Sequence, residues 1–293
     1  MAAQPVLSST EVDQFWQNGY MLLQDAVNAE QLSALKTEFS KWVEESREHN
    51  DAYGEIMDGR ARFDLDPKHS KESPALRRVA SPEEVSAAYH DTVLNSRALD
   101  AVAQLLGENI KFHHGKINAK QPGAATEVKF HQDFPFTPHT NDDLITVLFF
   151  LDEVTTENGP LEVIPGSHKG PIHGLWHDGV FTGAVSDAVA ETELTHKVQC
   201  YGKAGSACLM HTRLLHGSAT NLSDHPRTLF ICVYSAEDAI ALTPNPVPGK
   251  YFGKIVRGSK TGRVRCINYE VEKPQYPKQT SFFHQQEAPT ADN

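Results

Sequence analysis

The run Glu127-Val128-Lys129-Phe130-His131-Gln132-Asp133 reads as a short strand that carries a histidine and an aspartate two positions apart. Residues two apart in a strand point to one face. His131 and Asp133 can therefore offer a nitrogen and an oxygen to a single ion, while Gln132 turns away. An H-x-D triplet is common by chance, so a third ligand has to come from another strand. His216 qualifies: it follows the apolar pair Leu214-Leu215 and precedes Gly217-Ser218. Two histidines and one carboxylate leave coordination positions open, which suits iron(II) and oxygen chemistry. A structural zinc site would be closed by four protein ligands.

Eleven positions beyond His216 stands Arg227, at the mouth of an apolar strand over 228–234, after a hairpin turn from Thr220 to Pro226. A guanidinium there is costly unless it meets an anion. A dicarboxylate co-substrate would supply one in a two-pronged pair; a surface salt bridge with Asp224 is the plainer alternative.

Outward from these residues, β-rich runs at 110–119, 127–133, 144–152, 161–164, 195–200, 206–211 and 228–235 alternate with turn signals such as Asn158-Gly159-Pro160 and Pro165-Gly166. Short strands at that spacing predict a sandwich or jelly roll. In the first of them His114, Lys116, Asn118 and Lys120 share a face, and four polar residues on one face point to a polar cavity or to solvent. Before Gly107 the pattern is helical. Thr10 with Asp13 is placed to cap a first helix that Asn18-Gly19 stops. Asn28 with Gln31 caps a second, which buries Leu32, Leu35, Phe39, Trp42 and Val43. Ser81-Pro82 opens a further helix, and residues 97–106 form one more. The polar stretch 46–80 reads as a solvated loop or a lid. The expected layout is one domain over 1–293: helical at 9–107, β core at about 108–240, and a C-terminal extension at 241–293, frayed after about residue 284.

The chain has 293 residues and a formal net charge of −11, which argues against nucleic-acid or anionic-membrane partners. No apolar stretch approaches the roughly 20 residues of a membrane span. Cys200, Cys208, Cys232 and Cys266 form no C-x-x-C pair, and no signal peptide is evident, so a reduced cytoplasmic protein is expected. Asp142-Asp143 reads as a solvated turn, and Arg257, Lys260, Arg263 and Arg265 as a solvated basic face. His173 and His177 lie among Pro and Gly, which argues for a loop. His211 is expected on a strand near the site.

Taken together, His131-Gln132-Asp133, the run Asn158-Gly159-Pro160-Leu161-Glu162-Val163-Ile164-Pro165-Gly166-Ser167-His168, and His216-Gly217-Ser218 with Arg227 resemble the phytanoyl-CoA dioxygenase family over about residues 10–235. That family includes ectoine hydroxylase and many bacterial and fungal hydroxylases. The resemblance implies a double-stranded β-helix core, iron(II) held by His131, Asp133 and His216, and 2-oxoglutarate as co-substrate with O2. It implies that Arg227 and Ser218 hold the far carboxylate of 2-oxoglutarate. The run Lys116-Ile117-Asn118-Ala119-Lys120-Gln121-Pro122-Gly123 resembles the family's strand whose lysine also serves 2-oxoglutarate. That makes Lys120 the carry-over and Lys116 its rival, with Asn118 beside them. The metal carboxylate Asp133, absent in halogenating relatives, favours hydroxylation of a small-molecule C–H bond, with release of succinate and CO2. His114 stands near a substrate-contacting glutamine of ectoine-hydroxylase-like members. Phe134, His139 and Trp176 are the other candidates for substrate contact, on or beside the loops 46–80, 134–143 and 170–192 that would select the substrate. Two other readings keep the fold: a cupin-type metalloenzyme without 2-oxoglutarate, and a non-catalytic jelly-roll binding protein.

Overall fold

Ser8 and Asn28 start the first two helices by one device. Each side chain accepts the backbone N–H three residues on, and Glu11 or Gln31 returns the bond to the cap's own N–H. The first cap is therefore two residues earlier than Thr10. In the computed structural model, which describes residues 5–122 and 127–275, the helices are α1 (Ser9–Asn18), α2 (Ala29–Ser46), α3 (Ala87–Asn95), α4 (Arg97–Leu106) and α5 (Asp187–Glu193). The strands are β1 (Tyr20–Leu23), β2 (Tyr53–Met57), β3 (Arg60–Leu65), β4 (Leu76–Ala80), β5 (Ile110–Lys120), β6 (Val128–His131), β7 (Leu144–Phe150), β8 (Leu161–Val163), β9 (Trp176–His177), β10 (Val180–Phe181), β11 (Val198–Cys200), β12 (Ala207–His211), β13 (His216–Ser218), β14 (Arg227–Ala236) and β15 (Ile255–Arg257). The expected frayed tail after residue 284, and Gly123, lie outside the described residues.

Two antiparallel sheets face each other, as expected for a jelly roll. The larger runs β1-β12-β7-β14-β5-β4-β3-β2, with β15 also paired to β5; the smaller runs β11-β8-β13-β6. Side-chain alternation gives the central strands β7, β12 and β14 of the larger sheet two buried faces. On β14, Phe230, Cys232 and Tyr234 join Phe15, Leu35, Tyr89 and Leu99 in the layer beneath the helices. Leu229 and Ile231, on the other face, join Leu148, Leu161, Val163 and Met210 between the two sheets. Phe230 is fully buried, stacked on Phe149 at 5.6 Å and met edge-on by Tyr89 at 4.8 Å. Such ring pairs add about 0.5–1.5 kcal/mol each beyond the area they bury.

Residues 46–80 differ from expectation. Instead of a solvated loop they supply β2, β3 and β4, which extend the larger sheet past β5. Two of their arginines are matched by carboxylates: Arg62 pairs with Glu84 at 2.8 Å, and Arg77 with Asp64 at 2.8 Å. Phe63 and Leu65, between those charges, enter the core. The C-terminal stretch is likewise docked. Arg257, half-buried, pairs with Asp100; Arg265 pairs with Asp238 and Asp143 but stays exposed, as do Lys260 and Arg263, the solvated part of the basic cluster. Asp142 is held by Arg213 at 2.7 Å, so the Asp142-Asp143 turn is an ion-paired corner. All four cysteines are free thiols. Among the described residues no helix is long and apolar enough to cross a membrane.

Candidate active site

His131 and His216 face each other across adjacent antiparallel strands. His131, the last residue of β6, is in register with His216, the first residue of β13, and their ring centroids are 4.3 Å apart. Asp133 reaches the same point by a different route from the expected one. The strand ends at His131, and Asp133 adopts a helical backbone conformation at the start of the turn Phe134–Phe136. Its Oδ1 lies 3.7 Å from His131 Nε2 and 3.6 Å from His216 Nε2. These three ligand atoms lie within 4.8 Å of one another, the one such group of three His, Cys, Asp or Glu among the described residues.

The hydrogen bonds around the triad fix how it presents itself. His131 Nδ1 lies 2.8 Å from the Lys129 carbonyl, and His216 Nδ1 lies 2.9 Å from the Leu214 carbonyl. A carbonyl only accepts, so each Nδ1 carries a proton, which leaves each Nε2, on the Asp133 side, as the atom available to ligate. Two imidazole nitrogens and a carboxylate oxygen brought to one point make a ready set of metal donors. Burial, helped by the neighbouring His131, lowers His216 to about 4, which keeps it neutral and able to ligate. Burial alone would raise the Asp133 carboxyl. His216, His131 and Lys116 outweigh it and hold the group well below the usual carboxylate range. Thr146 on β7 donates to Asp133 Oδ2 at 2.7 Å, leaving Oδ1 for the metal. Gln132 points away as expected: its amide donates to the Pro171 and Arg213 carbonyls and accepts from His173 N–H. The donor set fits an open-sided iron(II) site.

The same cavity has a cationic end. Arg227 and Lys120 are cross-strand partners on β14 and β5, and both are buried. Arg227 donates Nε–H to the Gly159 carbonyl at 3.0 Å. Gly159 has φ +82°, and a side chain there would meet the Ala219 carbonyl at 2.7 Å, so the Asn158-Gly159-Pro160 turn is bound to glycine. Lys120 Nζ donates to the Ser218 carbonyl at 3.2 Å and to that of Ala219. Among the described residues no carboxylate pairs with either cation, Asp224 included; that acid lies beside His225 instead. Burial, then Arg227, lowers Lys120 to about 6, and burial lowers Arg227 to about 10. A buried guanidinium beside a lysine that a bound carboxylate would protonate fits a dicarboxylate.

His114, Lys116, Asn118 and Lys120 all line the cavity, as their alternation predicts, together with Ser218. The three loop candidates do not. Phe134 is fully buried against Tyr269, Leu144 and Val233, because the turn after Asp133 swings it behind the strand. His139 packs on His113 at 5.0 Å in a separate cleft. Trp176 sits on the β9–β10 hairpin against Phe181, donating Nε1–H to the Lys273 carbonyl. His211 faces Trp16 and His168, away from the cavity, and the preceding Met210 lines it instead. Residues not anticipated also line it: Phe136 and Thr137, Thr146, Pro246 and Val247, and three arginines, Arg60, Arg77 and Arg78. The signal for Thr146 is its isolation as the hydroxyl within Leu144-Ile145-Thr146-Val147-Leu148.

The phytanoyl-CoA dioxygenase family profile matches residues 15–229. A probable alpha-ketoglutarate-dependent hypophosphite dioxygenase of Stutzerimonas stutzeri is 35% identical over 221 residues, covering 73% of this chain and 76% of that one. An ectoine dioxygenase of Sphingopyxis alaskensis is 27% identical over 248 residues, 78% of this chain and 76% of the relative. The crystal structure of EctD from S. alaskensis with bound Fe superposes with a TM-score of 0.67 at 23% identity, covering 94% and 90% of the two chains, which shows the shared jelly-roll fold. By the profile match and the first of these relatives, the chain belongs to the phytanoyl-CoA dioxygenase family.

Proposed function

We propose that this chain is an iron(II)- and 2-oxoglutarate-dependent dioxygenase that hydroxylates, or otherwise oxidises, an unactivated C–H bond of a small molecule and releases succinate and CO2. The reading is supported above all by one cavity that joins His131, His216 and the ionised Asp133 to the buried Lys120–Arg227 pair. A cupin-type enzyme without a co-substrate would have no use for that pair, and a binding protein would have no use for the oriented triad.

His131, Asp133 and His216 would hold the metal, with Thr146 fixing the carboxylate. Iron(II) would supply the oxygen activation, with 2-oxoglutarate as the electron donor. Arg227 and Lys120 would take the distal carboxylate of 2-oxoglutarate, with Ser218 and Asn118 beside them. Lys120 suits that role better than Lys116, because it is Arg227's register partner while Lys116 stands opposite Ile231. Leu148, Leu161, Met210, Leu229 and Ile231 wall the cavity and exclude water from it. His114 is kept neutral, at about 3, by burial and then by Lys116, so it would meet substrate through a hydrogen bond rather than as a cation. The expected result of the direct test is loss of succinate formation in His131→Ala and in Asp133→Ala. Full activity in either variant would sink the assignment.

A further inference from the structure

Beyond Lys120 and Arg227 the same cavity is lined by Arg60, Arg77 and Arg78, and by Lys116, which also lies in the field of Asp133. They line up away from Lys120. Arg78 on β4 is in register with Asn118, and Ala80 with Lys116. Lys116 and Lys120 are four residues apart on β5, about 13 Å along an extended strand. Lys116 is thus set along the strand from the Lys120–Arg227 pair, with Asn118 and its register partner Arg78 between them.

A bulge builds this group. Asp64 pairs with Arg78 and Leu65 with Leu76, which leaves Arg77 as an extra residue on β4. A bulge re-aims side chains; here Arg77 and Arg78 both line the cavity, where strict alternation would send one to the far face. Asp64 neutralises Arg77 through Nε at 2.8 Å and Nη2 at 3.3 Å. Arg78 has no such partner. It is buried, and its Nε lacks any hydrogen-bond acceptor among the described residues. Arg60 donates to the Pro246 carbonyl at 2.6 Å and has no carboxylate in ion-pair range among the described residues. A buried guanidinium without an anion is disfavoured. Burial first, and then like charge from Arg60 on Arg78 and from both on Lys116, disfavours the charged forms, against the pull of Asp64 on Arg78 and of Asp133 on Lys116. Arg60 and Arg78, with Pro246 and Val247, also line a cleft next to the cavity that reaches Ala52, Met57 and Gly59. In a chain of net charge −11, cations concentrated there would draw an anion inward.

We propose that the substrate is a small oxyanion acid whose head group is held by Arg78, Arg60 and Lys116, with the bond to be oxidised extending toward Asp133 and its two histidines. The proposal rests on the function given above. Two guanidiniums without carboxylates match a doubly charged tetrahedral head, as in an alkyl phosphonate, better than a carboxylate. Guanidinium binds either oxyanion in the same two-pronged way.

The test is calorimetric titration of ethylphosphonate, propanoate and 1-propanol, separately, into protein saturated with manganese(II) and 2-oxoglutarate. An acid is expected to bind without displacing 2-oxoglutarate, and the alcohol to show no binding. The tighter of the two acids identifies the head group. Arg78→Met is expected to weaken acid binding by about tenfold or more while 2-oxoglutarate binds as in the wild type. If Arg78→Met does not fold, Arg60→Met, at a half-buried site, reports the same loss. Equal binding of the alcohol, unchanged acid binding in the folded variants, or acid binding only by displacement of 2-oxoglutarate would overturn the proposal. Failure of the function itself would show differently: 2-oxoglutarate would not bind the wild-type protein, whatever the acids do.

Discussion

Thr146 shows how one hydroxyl can set a metal site. Its bond to Asp133 Oδ2 is the one that directs Oδ1 between the histidines. Thr146→Val keeps the shape and removes the donor, so iron(II) affinity is expected to fall about 10- to 100-fold with the fold intact, as measured by competition with a chelator. Unchanged affinity would mean that Asp133 is held by other contacts. Lys120 offers a pH test. Its folded value of about 6 leaves it neutral at pH 7.5 in the free protein. A bound carboxylate favours the ammonium, so 2-oxoglutarate binding takes up a proton and weakens as pH rises above about 6. Titrations in two buffers of different ionisation enthalpy should reveal that uptake, and Lys120→Met should abolish it. Residue chemistry of this kind was legible in the sequence where side-chain type and position are both constrained, as for His131, His216 and Arg227. It was not legible for Phe134. Adjacency to Asp133 says nothing about direction once the chain leaves the strand, and the turn carries the ring into the core.

Element packing sets the spacing between ligands. Gly217 lies between His216 and Ser218 on β13, and a side chain there would meet the Val128 carbonyl at 2.7 Å and Phe130 Cδ2 at 2.8 Å. Gly217→Ala must therefore push β13 away from β6 and separate the two histidines. Iron affinity should drop by about tenfold or more even where thermal unfolding shows a folded protein. Wild-type affinity would show that the small sheet yields without moving its ligands. At this scale the β core was readable because its apolar runs are bounded by turn residues. Strands β2, β3 and β4 were not. Arg60-Ala61-Arg62-Phe63-Asp64-Leu65 looks solvated on paper, and only the folded chain supplies Glu84 for Arg62 and Arg77 for Asp64. The arginines that those strands place in the cavity were missed for the same reason.

At the scale of the whole molecule, the helices and the two sheets bury groups whose ionisation feeds back on stability. Glu83 is buried next to Gly115, its Oε2 without a hydrogen-bond partner among the described residues, and burial raises its carboxyl to about 8. The native state then holds a proton that the unfolded chain releases above its ordinary value of 4.5. Stability is therefore full below that value and falls as pH rises toward 8, by up to about 4 kcal/mol from this group. Glu83→Gln should flatten urea unfolding midpoints between pH 5 and pH 8 and exceed the wild type at pH 8; parallel profiles would exclude the effect. Function at this scale depends on one cavity receiving elements from both sheets: His131 and His216 from the smaller, Lys120 and Arg227 from the larger. The most direct measurement is an anaerobic titration of 2-oxoglutarate into the iron(II)-loaded protein, followed by its visible charge-transfer absorption. The wild type should bind one equivalent with that band. Arg227→Met should keep its iron and need about 100-fold more 2-oxoglutarate. Absence of the band in the wild type, or an unchanged titration in the variant, would contradict the account.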